Sequence, residues 1–134
     1  MFKLGDKMDK NKAINVNPIV LAFVGDAVYS LYVREKLTFE NDYKTGQLNK
    51  LATAQVKAQA QAEFIKDIMP LFSEDELAVF KRARNSKKTT RAKHATVFEY
   101  NTATGFEAVL GFLYLIGDFD RLNFLLSKGK INED

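Results

Sequence analysis

Two long apolar segments, each interrupted by a single acid, constrain this 134-residue chain more than any other feature. The first, VLAFVGDAVYSLYV (residues 20–33), carries Asp26, and the second, TATGFEAVLGFLYLIG (residues 102–117), carries Glu107. Both runs fall short of the roughly 20 apolar residues that a membrane span needs, so they predict helices inside one folded domain. A carboxylate buried in such a helix requires a partner, because an unpaired ionised group is costly to bury.

The residue pattern predicts an all-α fold. Asn17 before Pro18 is typical of a helix start, and the predicted helix runs to about Leu37. It is apolar nearly all round as far as Val33 and is therefore predicted to be largely buried. Apolar spacings of three and four across residues 47–69 predict one or two amphipathic helices with a Gln- and Lys-rich outer face. Residues 1–16 are interpreted as a flexible N-terminal arm of mixed charge, which leaves residues 17–134 as the domain.

Three more helices are predicted towards the C-terminus. Ser73 and Glu76 form a capping-box pattern ahead of the first. The second begins near Thr102 and ends before Gly117, a residue that readily closes a helix. Asp118 is suited to cap the third.

Composition excludes many kinds of catalytic site. The chain has no cysteine and one histidine, His94, so disulfides, thiol catalysis and His- or Cys-based zinc sites are excluded. It also contains no GxGxxG, Walker A or GxSxG motif. Any catalysis must therefore rest on carboxylates, for which Mg²⁺ is the natural cofactor.

The acids of the two apolar runs have two possible explanations. Asp26 and Glu107 could converge from neighbouring core helices, beside Gly25 and Gly111, to bind a divalent cation. Alternatively each could pair with an arginine such as Arg34 or Arg121, since buried charges are usually paired.

A basic block separates the two apolar runs. Between residues 81 and 94 there is no acid and there are seven cations, which indicates a polyanionic partner such as nucleic acid. The alternative is a solvated helix end rich in cations. The polar residues proposed here as phosphate contacts are Arg82, Arg84, Asn85, Lys87, Lys88, Arg91 and Lys93.

The two acidic segments, in this order and with RARNSKK between them, resemble the catalytic domain of the ribonuclease III family. LAFVGDAVYSLYVREKL resembles its first conserved helix and ATGFEAVLGFLYL its second acidic helix. RARNSKK and YNTATGFEAVLG resemble Mini-ribonuclease III in particular, the branch that consists of the catalytic domain alone. The wider family's additional acids are replaced here by Ala22 and Thr104, as in that branch.

The resemblance implies a homodimeric helical bundle, a ribonuclease III-like catalytic domain without a double-stranded-RNA-binding domain. It implies a cytoplasmic endoribonuclease that cleaves double-stranded RNA with Mg²⁺, or with Mn²⁺ as a substitute. Asp26 and Glu107 would be the catalytic, metal-binding acids. A metal-activated water would attack the phosphate and leave 5′-phosphate and 3′-hydroxyl ends. The substrate would be the precursor of large-subunit (23S) ribosomal RNA.

Two other functions are compatible with parts of the pattern. One is a catalytically silent protein that binds structured RNA or acts in ribosome assembly, against which the retention of both acids argues. The other is a helical DNA-binding regulator, which the basic block alone would favour. The chain lacks a recognisable helix-turn-helix pair for that role.

Overall fold

The computed structural model describes residues 5–40, 45–56, 58–86 and 97–129, and no strand occurs in these ranges. The all-α prediction is therefore confirmed. The helices are α1 (Lys10–Ile14), α2 (Pro18–Glu40), α3 (Thr45–Val56), α4 (Ala58–Ile68), α5 (Glu74–Arg84), α6 (Val97–Ile116) and α7 (Phe119–Lys128), with a 3₁₀ turn at Met69–Leu71. Within the same ranges, no helix has the length and apolar character to cross a membrane.

The helix ends follow the predicted caps. The side chain of Asn17 accepts a backbone hydrogen bond at the start of α2. Ser73 and Glu76 exchange the two bonds of a capping box at the start of α5, at 3.2 and 2.8 Å. Gly117 has a φ of 76° after α6, and Asp118 caps α7. Each of these caps is formed by residues only a few positions apart, so the sequence pattern was sufficient to predict it.

The central element of the fold is α6. It packs most extensively against α2 and also contacts α5, α4, α7 and α1. From residue 102 to residue 113 every position of α6 is buried except Glu107, which is half-buried. This one acid is thus the point at which the middle of the core helix reaches the surface.

The N-terminal segment differs from the predicted flexible arm. Asp9 caps the one-turn helix α1, in which Ala13 is completely buried. The backbone N–H of Met8 donates to the carbonyl of Leu115 at 2.8 Å, so this segment packs against the end of α6. A single helical turn contains too few apolar positions to show periodicity, which explains why the sequence pattern did not reveal it.

One face of α2 is not covered by the residues that the structure describes. Val20, Phe23, Ala27 and Leu31 form an apolar stripe along this face, here called the α2 stripe, and Phe23 is 80% exposed. The prediction that α2 is largely buried therefore holds for only one of its apolar faces in a single chain. The opposite face, which includes Leu21 and Tyr29, is buried against the core.

Candidate active site

The two acid-bearing helices cross in direct backbone contact. A methyl group in place of the Gly25 hydrogen would lie 1.6 Å from the carbonyl oxygen of Glu107. A methyl group on Gly111 would lie 2.0 Å from the carbonyl oxygen of Leu21. Only glycine allows such an approach. Because Asp26 follows Gly25 directly, the crossing brings both acids to one region of the molecule.

The two acids differ in exposure. Glu107 is half-buried, whereas Asp26 is exposed beside the α2 stripe. The interpretation of Asp26 as a buried carboxylate is therefore wrong for the single chain. Its apolar sequence neighbours lie on two faces of α2, one covered by the core and one open, and Asp26 lies between them. Both acids can be reached from solvent.

Gln61 on α4 is buried and contacts the Glu107 side chain from the interior of the domain. Its Nε2 donates a hydrogen bond to Oε2 of Glu107 at 3.3 Å, and its side chain is 1% exposed. The prediction that the glutamines of this segment lie on the outer face is therefore wrong for Gln61. A signal was present, because Gln61 precedes the buried Phe64, Ile65 and Ile68 at helical spacing.

An aromatic cluster lies behind this contact. The ring of Tyr29 packs edge-on against Phe64 and Phe106, with centroids 5.4 and 5.2 Å away, and Phe64 lies 5.5 Å from Phe106. Burial raises the pKa of the Tyr29 hydroxyl, and Tyr32 and the charge of Glu107 raise it further. Within the described residues this buried hydroxyl has no hydrogen-bond partner.

The donor set for a cation is small. Ala22 and Thr104 are both buried, and the Thr104 hydroxyl donates to the carbonyl of Tyr100 at 2.9 Å. In the part of the chain that the structure describes, no three His, Cys, Asp or Glu residues are grouped to hold a metal. Two solvent-accessible carboxylates suit Mg²⁺, which keeps several of its waters and takes one or two protein carboxylates.

Comparison with known proteins identifies the family of this chain. The profile of the Ribonuclease III domain matches residues 19–118. A Mini-ribonuclease 3 from Thermoanaerobacter sp. (strain X514) is 46% identical over 119 residues, 89% of this chain and 84% of that protein. One from Brevibacillus brevis is 47% identical over 106 residues, 79% of each chain. The chain belongs to the Mini-ribonuclease 3 family. By this membership it is an endoribonuclease of the ribonuclease III type.

A solved structure supports the fold assignment. The crystal structure of a protein from Fusobacterium nucleatum superposes with a TM-score of 0.76 at 32% sequence identity, over 84% of this chain and 90% of that one. The match covers most of the helical bundle.

Arg121 is not available to neutralise Glu107 in this Mini-ribonuclease 3 chain. Its guanidinium donates to both carboxylate oxygens of Glu76, at 2.7 and 2.8 Å. Burial alone would raise the pKa of Glu76, but the hydrogen bonds from Arg121 and Ser73 outweigh it and hold that pKa below its usual value. Arg121, one of the two arginines proposed as partners for the acids, therefore stabilises the contact of α5 with α7.

The basic block is only partly within the described residues. Arg82 and Asn85 are exposed, although the Arg82 guanidinium also donates to the carbonyl of Ile14. The Arg84 guanidinium lies 5.6 Å from the centre of the Phe80 ring. These residues occupy the end of α5, where cations are favoured by the helix dipole. The remaining predicted contacts, Lys87, Lys88, Arg91 and Lys93, lie outside the described residues.

Proposed function

We propose that this Mini-ribonuclease 3 cleaves double-stranded RNA in a Mg²⁺-dependent reaction at a site formed by Asp26 and Glu107. One observation carries the proposal. Glu107 is the only residue between positions 102 and 113 of α6 that is not buried. Its backbone carbonyl contacts Gly25, the residue directly before the exposed Asp26. A purely RNA-binding protein has no need for this arrangement.

Asp26 and Glu107 would hold the ion, with Mn²⁺ as a substitute for Mg²⁺. When bound, the ion supplies Lewis-acid stabilisation of phosphate charge and lowers the pKa of a coordinated water. The chain's own residues fix where this happens. The glycine crossing sets the positions of the two acids, and Gln61 holds one oxygen of Glu107. Hydrolysis would leave 5′-phosphate and 3′-hydroxyl ends.

The end of α5 and the basic block would provide RNA contacts. A-form duplexes are recognised mainly through shape, phosphates and 2′-hydroxyls. Lys81, Arg82 and Asn85 are exposed at the end of α5, and Arg84 is half-buried there, so that their side chains suit phosphate or sugar contacts. The proposal extends to Lys87, Lys88, Arg91 and Lys93, which follow directly in the sequence.

We further propose that the substrate is a duplexed precursor of large-subunit ribosomal RNA in the bacterial cytoplasm. The relatives compared above come from bacteria, in which this RNA is transcribed and processed in the cytoplasm. The catalytic unit is assigned to residues 17–134, with α1 as a packed N-terminal addition.

A cleavage assay tests the proposed function. The purified chain is incubated with a long random RNA duplex, a stem from large-subunit ribosomal RNA precursor, single-stranded RNA and duplex DNA, each with Mg²⁺ or with EDTA. We expect cleavage of both RNA duplexes only when Mg²⁺ is present, with faster and site-specific cleavage of the precursor stem. Binding of duplex RNA without cleavage in either Mg²⁺ or Mn²⁺ would instead indicate a silent RNA-binding protein.

The α2 stripe is proposed to be the homodimer interface. Its apolar side chains are exposed along the helix that carries Asp26, and a two-fold interface pairs such a surface with itself. Two copies would then present two sites on one assembly, one for each RNA strand.

Sedimentation equilibrium tests the dimer. We expect the wild-type mass to be twice the 15.2 kDa of one chain. Phe23→Glu should weaken association by at least about 100-fold, since a charge replaces an apolar contact at the centre of the interface. Phe39→Glu is the matched control, because Phe39 is 82% exposed on the same helix but outside the stripe. A wild-type monomer at micromolar concentration would contradict the proposal.

A further inference from the structure

We infer that Gln61 is a positioning residue for the active site, which orients the carboxylate of Glu107 through the hydrogen bond from its Nε2. This inference rests on the proposed role of Glu107 as a metal ligand. Gln61 is almost completely buried, and the contact joins positions 46 residues apart in the sequence. It is therefore a tertiary contact directed at Glu107.

The aromatic cluster holds both partners of this hydrogen bond in place. Phe64 lies three residues after Gln61 on α4, and Phe106 directly precedes Glu107 on α6. The two rings pack 5.5 Å apart, and both contact Tyr29. Because the cluster fixes α4 against α6, it also fixes the amide relative to the carboxylate.

The chemistry of the pair suits a metal ligand. An ionised carboxylate only accepts hydrogen bonds, so the NH₂ group of the amide must face it. Fixing Oε2 of Glu107 also fixes the direction of Oε1. Carboxylates that bind metals are commonly oriented in this way by outer hydrogen bonds.

A neutral donor has an advantage over a cationic one at this position. A lysine or arginine would compensate the charge of Glu107 and reduce its attraction for a divalent cation. The amide of Gln61 orients the same carboxylate and leaves its charge in place. Arg121, one of the two arginines considered as partners for the acids, is paired with Glu76.

Gln61→Met tests the inference, because methionine has a similar volume and no donor. Ile65→Val is the matched control, since it removes one methyl group from the same buried face of α4 and changes no hydrogen-bonding group. The first readout is Mn²⁺ binding without RNA, followed by the electron paramagnetic resonance of free Mn²⁺. The second is the Mg²⁺ concentration that gives half-maximal cleavage.

We expect Gln61→Met to weaken Mn²⁺ binding and to raise the half-saturating Mg²⁺ concentration by about 10-fold or more. The KM for duplex RNA should be unchanged, and excess Mg²⁺ should restore most of kcat. Ile65→Val should lower Tm slightly but match the wild type in Mn²⁺ binding and in Mg²⁺ requirement within about two-fold. A general packing defect would not be rescued by Mg²⁺.

Two results would overturn the inference. One is a Gln61→Met variant that binds Mn²⁺ and uses Mg²⁺ like the wild type. The other is an equal loss in both variants that follows a common fall in Tm, which would indicate packing alone. Failure of the proposed function is distinguishable, because the wild type itself would then neither bind Mn²⁺ nor cleave RNA.

Discussion

Glu107→Gln and Asp26→Asn are each expected to lower kcat on duplex RNA by at least about 10³-fold. Each change removes a negative charge from the two-acid site and keeps the size of the side chain. Asp26 is exposed and Glu107 half-buried, so folding should be preserved and Tm should change by only a few degrees. The measurements are single-turnover cleavage, a duplex-binding titration and thermal unfolding.

Glu35→Gln provides the matched control for these variants. Glu35 is an exposed acid on the same helix as Asp26, and its neutralisation should leave cleavage unchanged. The informative contrary result is an active Asp26→Asn variant beside an inactive Glu107→Gln variant. That outcome would remove Asp26 from the site and leave Glu107 as its only acid.

Gly25→Ala is expected to destabilise the domain by more than about 4 kcal/mol. Alanine favours a helix by about 1 kcal/mol over glycine, so local propensity alone would predict stabilisation. The tertiary contact opposes it, because the new methyl group would lie 1.6 Å from the carbonyl oxygen of Glu107. A backbone atom cannot rotate away, so α2 and α6 must separate. A domain of this size is stable by only about 5–15 kcal/mol.

Thermal unfolding followed by circular dichroism measures this effect. Gly46→Ala is the control, since it makes the same substitution in α3, where a methyl group would meet no atom within 4 Å. Its Tm should be unchanged or slightly raised. A Gly25→Ala variant with the wild-type Tm would show that the helices do not cross in backbone contact.

The sequence predicted features that depend on neighbouring residues. The caps at Asn17, Ser73 and Asp118 and the closure at Gly117 are satisfied within a few positions, and all are found where they were predicted. The start of α6 was less well predicted. It begins at Val97, five residues earlier than expected, because the apolar residues of its first turn, Val97 and Phe98, are exposed and do not continue the buried face.

The exposure of Asp26 and the direction of Gln61 could not be predicted in the same way. An apolar run shows that side chains avoid water but not whether a core or a second surface covers them. The side of α2 that faces α6 is set by the contact of Gly25 with residues more than 80 positions away. For Gln61 two indications in the sequence disagreed. Its polarity suggested the outer face of the helix, whereas its spacing from Phe64 indicated the buried face on which it lies.

Because of the crossing at Gly25 and Gly111, the conformational entropy cost of bringing the two acids together is met during folding, before substrate binds. Because main-chain atoms are in contact there, the backbone positions that carry the two acids cannot be separated by movement of a loop. These two positions are brought together once, as the bundle folds, and not again at each encounter with substrate. Local fluctuations that open other parts of the surface should leave their spacing intact, so that heat inactivation should coincide with global unfolding.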